Sequence, residues 1–476
     1  MSKKLISIFI FIALASNAFA SMFHGDHDHS NVPEEFKTPK TMFANIQLKN
    51  LKREVSVLKS LDVDILGVNL KEKNVDVLLT SKQLENLEQK KFIINMVTEK
   101  NLLRRPDQEY KNSEEIAAFL TTMSDQYSSI SKLIKIGESV EGRDIWAIKI
   151  SDNPESDELE PAILFNSMHH AREVMTPEVG IDIVEYLLSN YSTDSRVKNW
   201  VDSNEIFVVP MLNVDGNNRV WTRDSMWRKN TQGGYGVDIN RNYPHRWASC
   251  NGSSGSRWSQ TYRGPKAASE PETRALMGLV TDIKPVFNIS YHSYSELVLY
   301  PYGCPGEKTA THALVSSIGQ KIGELLDYTP GTPWEILYGV DGGDVDWMYA
   351  DEQVIPYVIE LNSTREGFQP SYSKWRDKTV ERNRPAWMHL LDRLEQSGVR
   401  GLVYDESQNL TDKFTVEVLD SRGNKIQDYR GNPDGSFHIV LAEGDYKLNI
   451  KRTDSRSVKA ETLSVSSNRE DIEVRF

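Results

Sequence analysis

Hydrophobic positions change their spacing several times along this chain, and each change marks a segment with its own character. An apolar run from Leu5 to Ala15 follows Lys3-Lys4 and closes on Ala18-Phe19-Ala20, the charged, apolar and small-residue order of an export signal over residues 1–20. The run is shorter than the roughly 20 apolar residues needed to cross a bilayer, so no transmembrane span is expected. Residues 21–41 lose the apolar pattern and place His24, His27 and His29 among aspartates. Nothing nearby fixes these histidines in a coordination geometry, so the stretch reads as a solvated leader rather than a metal site.

From 42 to 98 the periodicity alternates between two and about 3.6: strand-like Phe43 to Leu48, helical Leu51 to Leu61, strand-like Val63 to Leu70 and Val75 to Leu79, helical Ser81 to Gln89, strand-like Phe92 to Val97. That order, β-α-β-β-α-β, predicts a small open sandwich with helices on one face. It holds no organised nucleophile or ligand pair, so its task is structural or inhibitory. The polar joint 99–109 carries Arg104-Arg105-Pro106, the kind of exposed connection that proteases cut unless it is covered. Between 110 and 398 apolar runs alternate with amphipathic helices, which predicts an α/β domain with a mixed, largely parallel sheet and helices on both faces. Thr176-Pro177 reads as the cap and first turn of one helix, with Val179, Ile183, Val184, Leu187 and Leu188 as its stripe; the last helix ends near Ser397-Gly398. Residues 399–476 change to short alternating strands (Phe414 to Leu419, His438 to Leu441, Tyr446 to Ile450, Ile472 to Phe476), a small β-sandwich.

Composition narrows the classes. The chain has 476 residues, 39% hydrophobic and 26% charged, the balance of a folded protein. With 56 basic against 68 acidic residues the formal charge is −12, a field that repels phosphate backbones, so nucleic acid is not an expected partner. Two cysteines, Cys250 and Cys304, in an exported chain permit one disulfide or stand as two buried thiols. No cysteine precedes Cys250, which excludes a lipid-modified cysteine at a new N-terminus.

Three apolar runs end in chemistry. Ala162-Ile163-Leu164-Phe165 leads to His169-His170-Ala171-Arg172-Glu173, Val286 to Tyr291 delivers His292, and Val358-Ile359 delivers Glu360. Open α/β sheets bind ligands beyond the carboxyl ends of their strands, so these ends can converge. Taken singly, each has a plain structural reading: a common H-x-x-E tetrapeptide, a core histidine, a carboxylate in an ion pair. Together, two His and one Glu with a fourth position left for water form the open shell of a catalytic zinc site, and a further Glu is what takes the proton from that water. Imidazole donors favour zinc over calcium or magnesium. No H-E-x-x-H is present.

Taken in order, His170-Ala-Arg172-Glu173, Trp227-Arg228-Lys229, Gly236-Val237-Asp238-Ile239-Asn240-Arg241-Asn242, His292-Ser293-Tyr294, Tyr300-Pro301-Tyr302-Gly303, Leu337-Tyr338, Asp346-Trp347 and Glu360-Leu361 resemble the zinc metallocarboxypeptidases, the family of pancreatic carboxypeptidases A and B and bacterial carboxypeptidase T. The resemblance covers roughly Tyr110 to Leu394. It implies His170, Glu173 and His292 as ligands of one zinc ion, Glu360 as general base, Asp238 behind His170, and Arg228 on the oxyanion. It implies that Asn240, Arg241 and Tyr338 grip the substrate's C-terminal carboxylate, with Arg172 at a subsite farther from the cut and Ser293-Tyr294 on the neighbouring wall. Val345 stands where the family sets side-chain preference and favours apolar residues, while Asp344 beside it favours Lys or Arg; Pro333 departs from the family's usual choices.

The same resemblance gives a ferredoxin-like α+β activation domain at 42–98, removed near Arg104-Arg105 by a partner protease, and a transthyretin-like module at the C-terminus whose task the residues do not state. The expected protein is a monomeric exported zymogen, periplasmic or extracellular, acting on peptide or protein C-termini. Two rivals are a catalytically silent peptide-binding protein, which should lack a ligand or the base, and a peptidase of cell-wall peptides, against which Asn240-Arg241 argues. Calcium occurs in bacterial relatives, but no decisive acidic loop is legible here.

Overall fold

The computed structural model describes residues 41–97 and 105–476; the export signal, the leader histidines and Arg104 lie outside the described residues. The N-terminal module contains β1 (Met42–Gln47), β2 (Asp64–Asn69), β3 (Asn74–Leu79) and β4 (Ile93–Met96) in the order β2-β3-β1-β4, every neighbour antiparallel. Its helices, Leu51–Ser60 and Ser81–Gln89, start at side-chain caps: Asn50 accepts from the Arg53 N–H, and Thr80 and Gln83 cap each other reciprocally. The module's core is not private. Ala44, Ile46, Val55, Leu58 and Val68 belong to one apolar cluster with Leu297, Leu299, Leu337, Val345 and Val358 of the large domain.

The large domain is built on β5 (Ser131–Glu138), β6 (Asp144–Ile150), β7 (Ala162–Ser167), β8 (Glu205–Val209), β9 (Phe287–Ser293), β10 (Leu297–Leu299), β11 (Thr329–Gly331) and β12 (Ile355–Leu361), ordered β11-β10-β12-β9-β7-β8-β6-β5. The centre, β8-β7-β9-β12, is parallel. Antiparallel pairings join β6 to β8, β5 to β6 and β10 to β12, so the sheet is mixed with a parallel core. Every residue of β7, β8 and β9 is buried, as helices on both faces require, and this explains their unbroken apolar runs. The helix Thr176–Asn190 corrects one expectation. Its cap position is Met175, which makes no capping bond, and the Thr176 hydroxyl instead donates to the Glu173 carbonyl (2.8 Å), tying the helix start to the turn that carries Glu173.

The C-terminal part holds β13 (Gly398–Tyr404), β14 (Phe414–Asp420), β15 (Lys425–Arg430), β16 (Ser436–Val440), β17 (Gly444–Arg452), β18 (Val458–Val465) and β19 (Arg469–Arg475). They form two sheets, β16-β13-β19 and β15-β14-β17-β18, around a core that includes Val403, Val416, Phe437 and Ile450. Three of these strands carry no clear apolar alternation. β15 and β18 are the outer strands of their sheet; β15 carries Lys425, Asp428 and Arg430, and most of β18 is exposed with small and polar residues. β13 opens on Gly398 and contains Gly401, where a Cβ would sit 2.1 Å from the Phe437 ring.

The long helix Tyr372–Leu394 anchors the large core through Trp387, whose ring packs on Phe165, Tyr186 and Trp200 at centroid distances of 6.5, 5.6 and 6.0 Å. Trp387→Ala is therefore expected to cost about 3–5 kcal/mol, seen as a lowered urea midpoint of the large-domain transition. A midpoint within experimental error of the parent would contradict this placement of the core.

Candidate metal centre and active site

Strand register builds the site. In the parallel pair β9/β12, Glu360 lies opposite His292 at the carboxyl ends, and β7 runs beside β9 with Ser167 opposite Tyr291, so the chain leaving β7 places His170 and Glu173 at the same edge. All three expected ligands are buried. His170 Nδ1 stands 2.8 Å from Glu173 Oε1 and 3.1 Å from His292 Nδ1, and His292 Nδ1 stands 3.2 Å from Glu173 Oε2. Donors held about 2.0–2.1 Å from a tetrahedral zinc lie roughly 3.3 Å apart, so two imidazoles and a carboxylate at these separations fit zinc in donor type and spacing. A cation also answers the awkwardness of two ring nitrogens facing each other in a buried site.

The supporting shell is equally specific. Asp238 Oδ1 lies 3.1 Å from His170 Nε2, which assigns the ring proton to Nε2 and leaves the Nδ1 lone pair for a metal. The other Asp238 oxygen accepts from Arg228 Nη2 (2.9 Å) and Nε (3.2 Å). Burial alone would push the Asp238 carboxyl up; Arg228, His170 and Arg241 together hold it well below the usual range. Asp238 also caps the short turn Ile239–Arg241 by accepting from the Asn240 N–H, so one carboxylate positions the expected ligand His170, the cation Arg228 and the start of the Asn240-Arg241 pair. The Asn240 side chain accepts from the Asp344 N–H (2.9 Å), and its Nδ2 stands 3.3 Å from His292 Nε2.

A cavity borders this edge, lined among others by His170, Glu173, Arg228, Arg241, Tyr338 and Glu360. Burial pushes the Glu360 carboxyl up to about 7 against the lowering pull of His292, a poise suited to taking and returning a proton near neutrality. Arg241 is buried; its Nη1 donates to the Asn240 carbonyl (2.6 Å), and its Nε has no partner among the described residues. Asn240, Ser293, Tyr294, Asp344 and Val345 also line the cavity, joined by Gly303 and Asp346. Arg172 does not. It is fully buried and holds Asp64 of β2 through its two terminal guanidinium nitrogens, Nη1 and Nη2, at 2.8 and 3.0 Å.

Contacts from the N-terminal module were not legible in the sequence, since nothing in its pattern singles them out. Ile65, Leu66, Gly67 and Val68 line the cavity, and the Tyr294 hydroxyl donates to Asp76 (3.1 Å) while its ring crosses Gly67 so closely that a Cβ there would sit 2.2 Å away. Lys59 Nζ reaches the Gly339 carbonyl (2.7 Å) over the Tyr338 ring. Cys250 and Cys304 are bonded, Cα atoms 5.8 Å apart, which decides between the two readings of the cysteines. A surface group that the sequence reading passed over, Asp152, Glu158 and Glu160, brings ligand atoms within 4.8 Å of one another. Burial, with Glu158 and Asp152 adding, pushes Glu160 up to about 8, so protonation itself relieves the crowding.

Two measurements check this geometry. His292→Ala should reduce tightly bound zinc, assayed by equilibrium dialysis, from one ion per chain to less than about a tenth. Asp238→Asn, which keeps all three ligands, should weaken zinc affinity by about 10–100-fold.

Comparison with known proteins agrees with the geometry. A family model described as zinc carboxypeptidase matches residues 116–385. A zinc carboxypeptidase of Saccharothrix mutabilis subsp. capreolus is 34% identical over 281 residues, 55% of this chain and 64% of that protein. Carboxypeptidase B of Rattus norvegicus is 32% identical over 270 residues, again 64% of its length, so the chain matches just under two thirds of these relatives. The crystal structure of carboxypeptidase A from Helicoverpa armigera shares the fold, with a TM-score of 0.64 at 22% identity over 74% of this chain and 96% of that one. Among the described residues no helix is long and apolar enough to cross a membrane. With a His-Glu-His group that fits a zinc ion at the strand ends and a family model matching more than half of the chain, this protein belongs to the zinc carboxypeptidase family.

Proposed function

We propose that this protein is an exported zinc-dependent carboxypeptidase that hydrolyses the last peptide bond of a peptide or protein and releases one amino acid. The observation that carries the reading is Arg241: a buried guanidinium whose Nε lacks a partner among the described residues, bordering the same cavity as the three candidate metal donors and Glu360. A planar fork in that position suits a carboxylate and makes the site selective for a chain end.

Zinc, when bound by His170, Glu173 and His292, supplies Lewis acidity toward a water and the scissile carbonyl. Glu360 takes the proton from the attacking water and returns it to the leaving amine nitrogen, a task matched to a carboxyl raised toward neutrality. Arg228, fixed on Asp238 through Nε and Nη2, keeps its Nη1 end for the carbonyl oxygen as negative charge develops there. Arg241, Asn240 and Tyr338 hold the terminal carboxylate, and Ser293-Tyr294 line the adjacent wall. The catalytically silent alternative loses its support because no ligand and no base is missing.

The N-terminal module acts as an inhibitor in this reading. Its Asp64 occupies Arg172, its Asp76 takes the Tyr294 hydroxyl, and its residues 65–68 stand in the cavity mouth, so a peptide cannot lie along that wall while the module is seated. Cleavage by another protease within 99–109 would release it. Residues 1–20 would direct the chain out of the cytoplasm, and calcium has no part in the proposed chemistry.

Blocked dipeptides test the proposal. Release of the C-terminal residue should stop with a chelator and return with zinc, and Glu360→Gln should lower kcat by about 10²–10⁴ while zinc stays bound. Release that survives metal removal, or full activity of the Gln variant, would contradict the mechanism. Limited trypsin treatment should raise activity at least tenfold, and Asp64→Ala should raise the activity of the intact chain; equal rates before and after cleavage would sink the inhibitory role.

A further inference from the structure

Strand β9 is buried on both faces, yet it carries a polar side chain at every second position of its second half. Asn288, Ser290 and His292 fall at i, i+2 and i+4, so they share one face, and none is more than 2% exposed. Burying polar groups there is costly unless they find partners. They do, through β7 and the turn that follows it. Asn288 Nδ2 donates to Asn166 Oδ1 (2.6 Å), Asn166 Nδ2 donates to Ser290 Oγ (3.0 Å), and Ser290 Oγ stands 3.5 Å from Nδ1 of His169. The other ring nitrogen of His169, Nε2, lies 2.9 Å from the Tyr243 hydroxyl and 3.6 Å from Asp344 Oδ2. Asn166, His169, Tyr243 and Asp344 are fully buried as well, so the polar line runs unbroken through the interior.

His169 is where this line meets the site. Its ring lies face to face with that of His292, centroids 5.4 Å and planes 18° apart, while His170 meets the same ring at a steep 61° and 4.7 Å. The backbone is bent to deliver both histidines: Met168 takes φ +59°, the left-handed region that a methionine rarely adopts. Asn213 holds that turn, donating from its N–H to the Met168 carbonyl (3.1 Å) and from Nδ2 to the His169 carbonyl (2.9 Å). Asp344 closes the arrangement, because its N–H donates to Asn240 Oδ1 and the Asn240 amide stands 3.3 Å from His292 Nε2. The face of the His292 ring and its Nε2 edge are therefore both bounded by groups tied to Asp344.

We infer that His169 is a positioning residue: seated on Tyr243 and Asp344, it fixes the ring plane of His292 so that Nδ1 stays turned toward His170 and Glu173. This role rests on the zinc reading above and adds a residue that is not itself one of the three donors. It also gives the buried Asp344 carboxylate a task, since the same residue that faces His169 begins the helix Asp344–Glu352 on the cavity wall.

The test measures zinc affinity, by competition with a chromophoric chelator, and the visible bands of the cobalt-substituted protein. It compares the full-length parent with His169→Leu, His169→Phe and Trp387→Ala, the last a control whose lost contacts are with Phe165, Tyr186 and Trp200. His169→Leu should weaken zinc binding about 10–100-fold and shift the cobalt bands, as loss of a group that orients a ligand does. His169→Phe keeps a flat ring against His292 and should recover part of that loss, while Trp387→Ala should stay within about twofold of the parent. Asp344→Asn should weaken zinc binding alone but add no further loss to His169→Leu, because both changes cut one link. Parent-like affinity and cobalt bands in His169→Leu overturn the inference, and so do losses from the two substitutions that simply add. Crystals of the zinc-loaded parent decide the matter without any variant: the two rings should remain face to face with His169 Nε2 on the Tyr243 hydroxyl, and parted rings overturn the role. A parent chain that binds no zinc overturns the zinc reading itself, whereas tight binding that is unchanged in the variants removes only the role of His169.

Discussion

The site depends on the register of three parallel strands. Side chains alternate faces along a strand, so a slip of one residue between β9 and β12 would turn either His292 or Glu360 away from the shared edge. The register is held by strands that are buried on both faces, where such a slip would also drive apolar side chains off their packing partners. Stability of the core and placement of the chemistry are thus one constraint.

Around that edge, several buried charges are held by one shared partner. Asp238 is the clearest case, because the same carboxylate orients His170, fixes Arg228 and starts the turn that presents Asn240 and Arg241. Removing it would leave Arg228 and His170 without their shared partner, a larger loss than one hydrogen bond. The N-terminal module is wired into the same machinery. It shares an apolar cluster with Leu337, Val345 and Val358 of the cavity wall, so Val68, which lines the cavity, is also part of the module's own core.

Much of this arrangement was legible from residues alone. Apolar runs ending in His170, His292 and Glu360 pointed to converging strand ends, because strands buried on both faces cannot carry a charge without a use for it. The β-α-β-β-α-β order of the first module was legible from its changing period. What escaped was contact across separate segments. Asp64 and Lys59 look like ordinary surface charges in their local pattern, and only folding places them on Arg172 and the Gly339 carbonyl. Strand β15 escaped because its charges at Lys425, Asp428 and Arg430 break the alternation, β18 because small and polar residues fill most of it, and the Thr176 cap was misplaced because its hydroxyl serves the Glu173 turn instead.

Anomalous diffraction at the zinc edge from crystals of the metal-loaded protein tests the central claim most directly. The account predicts one strong peak bonded to Nδ1 of His170, Nδ1 of His292 and a carboxylate oxygen of Glu173, with the Glu360 carboxyl beside the open position. A peak elsewhere, or an ion that leaves either histidine uncoordinated, would contradict it.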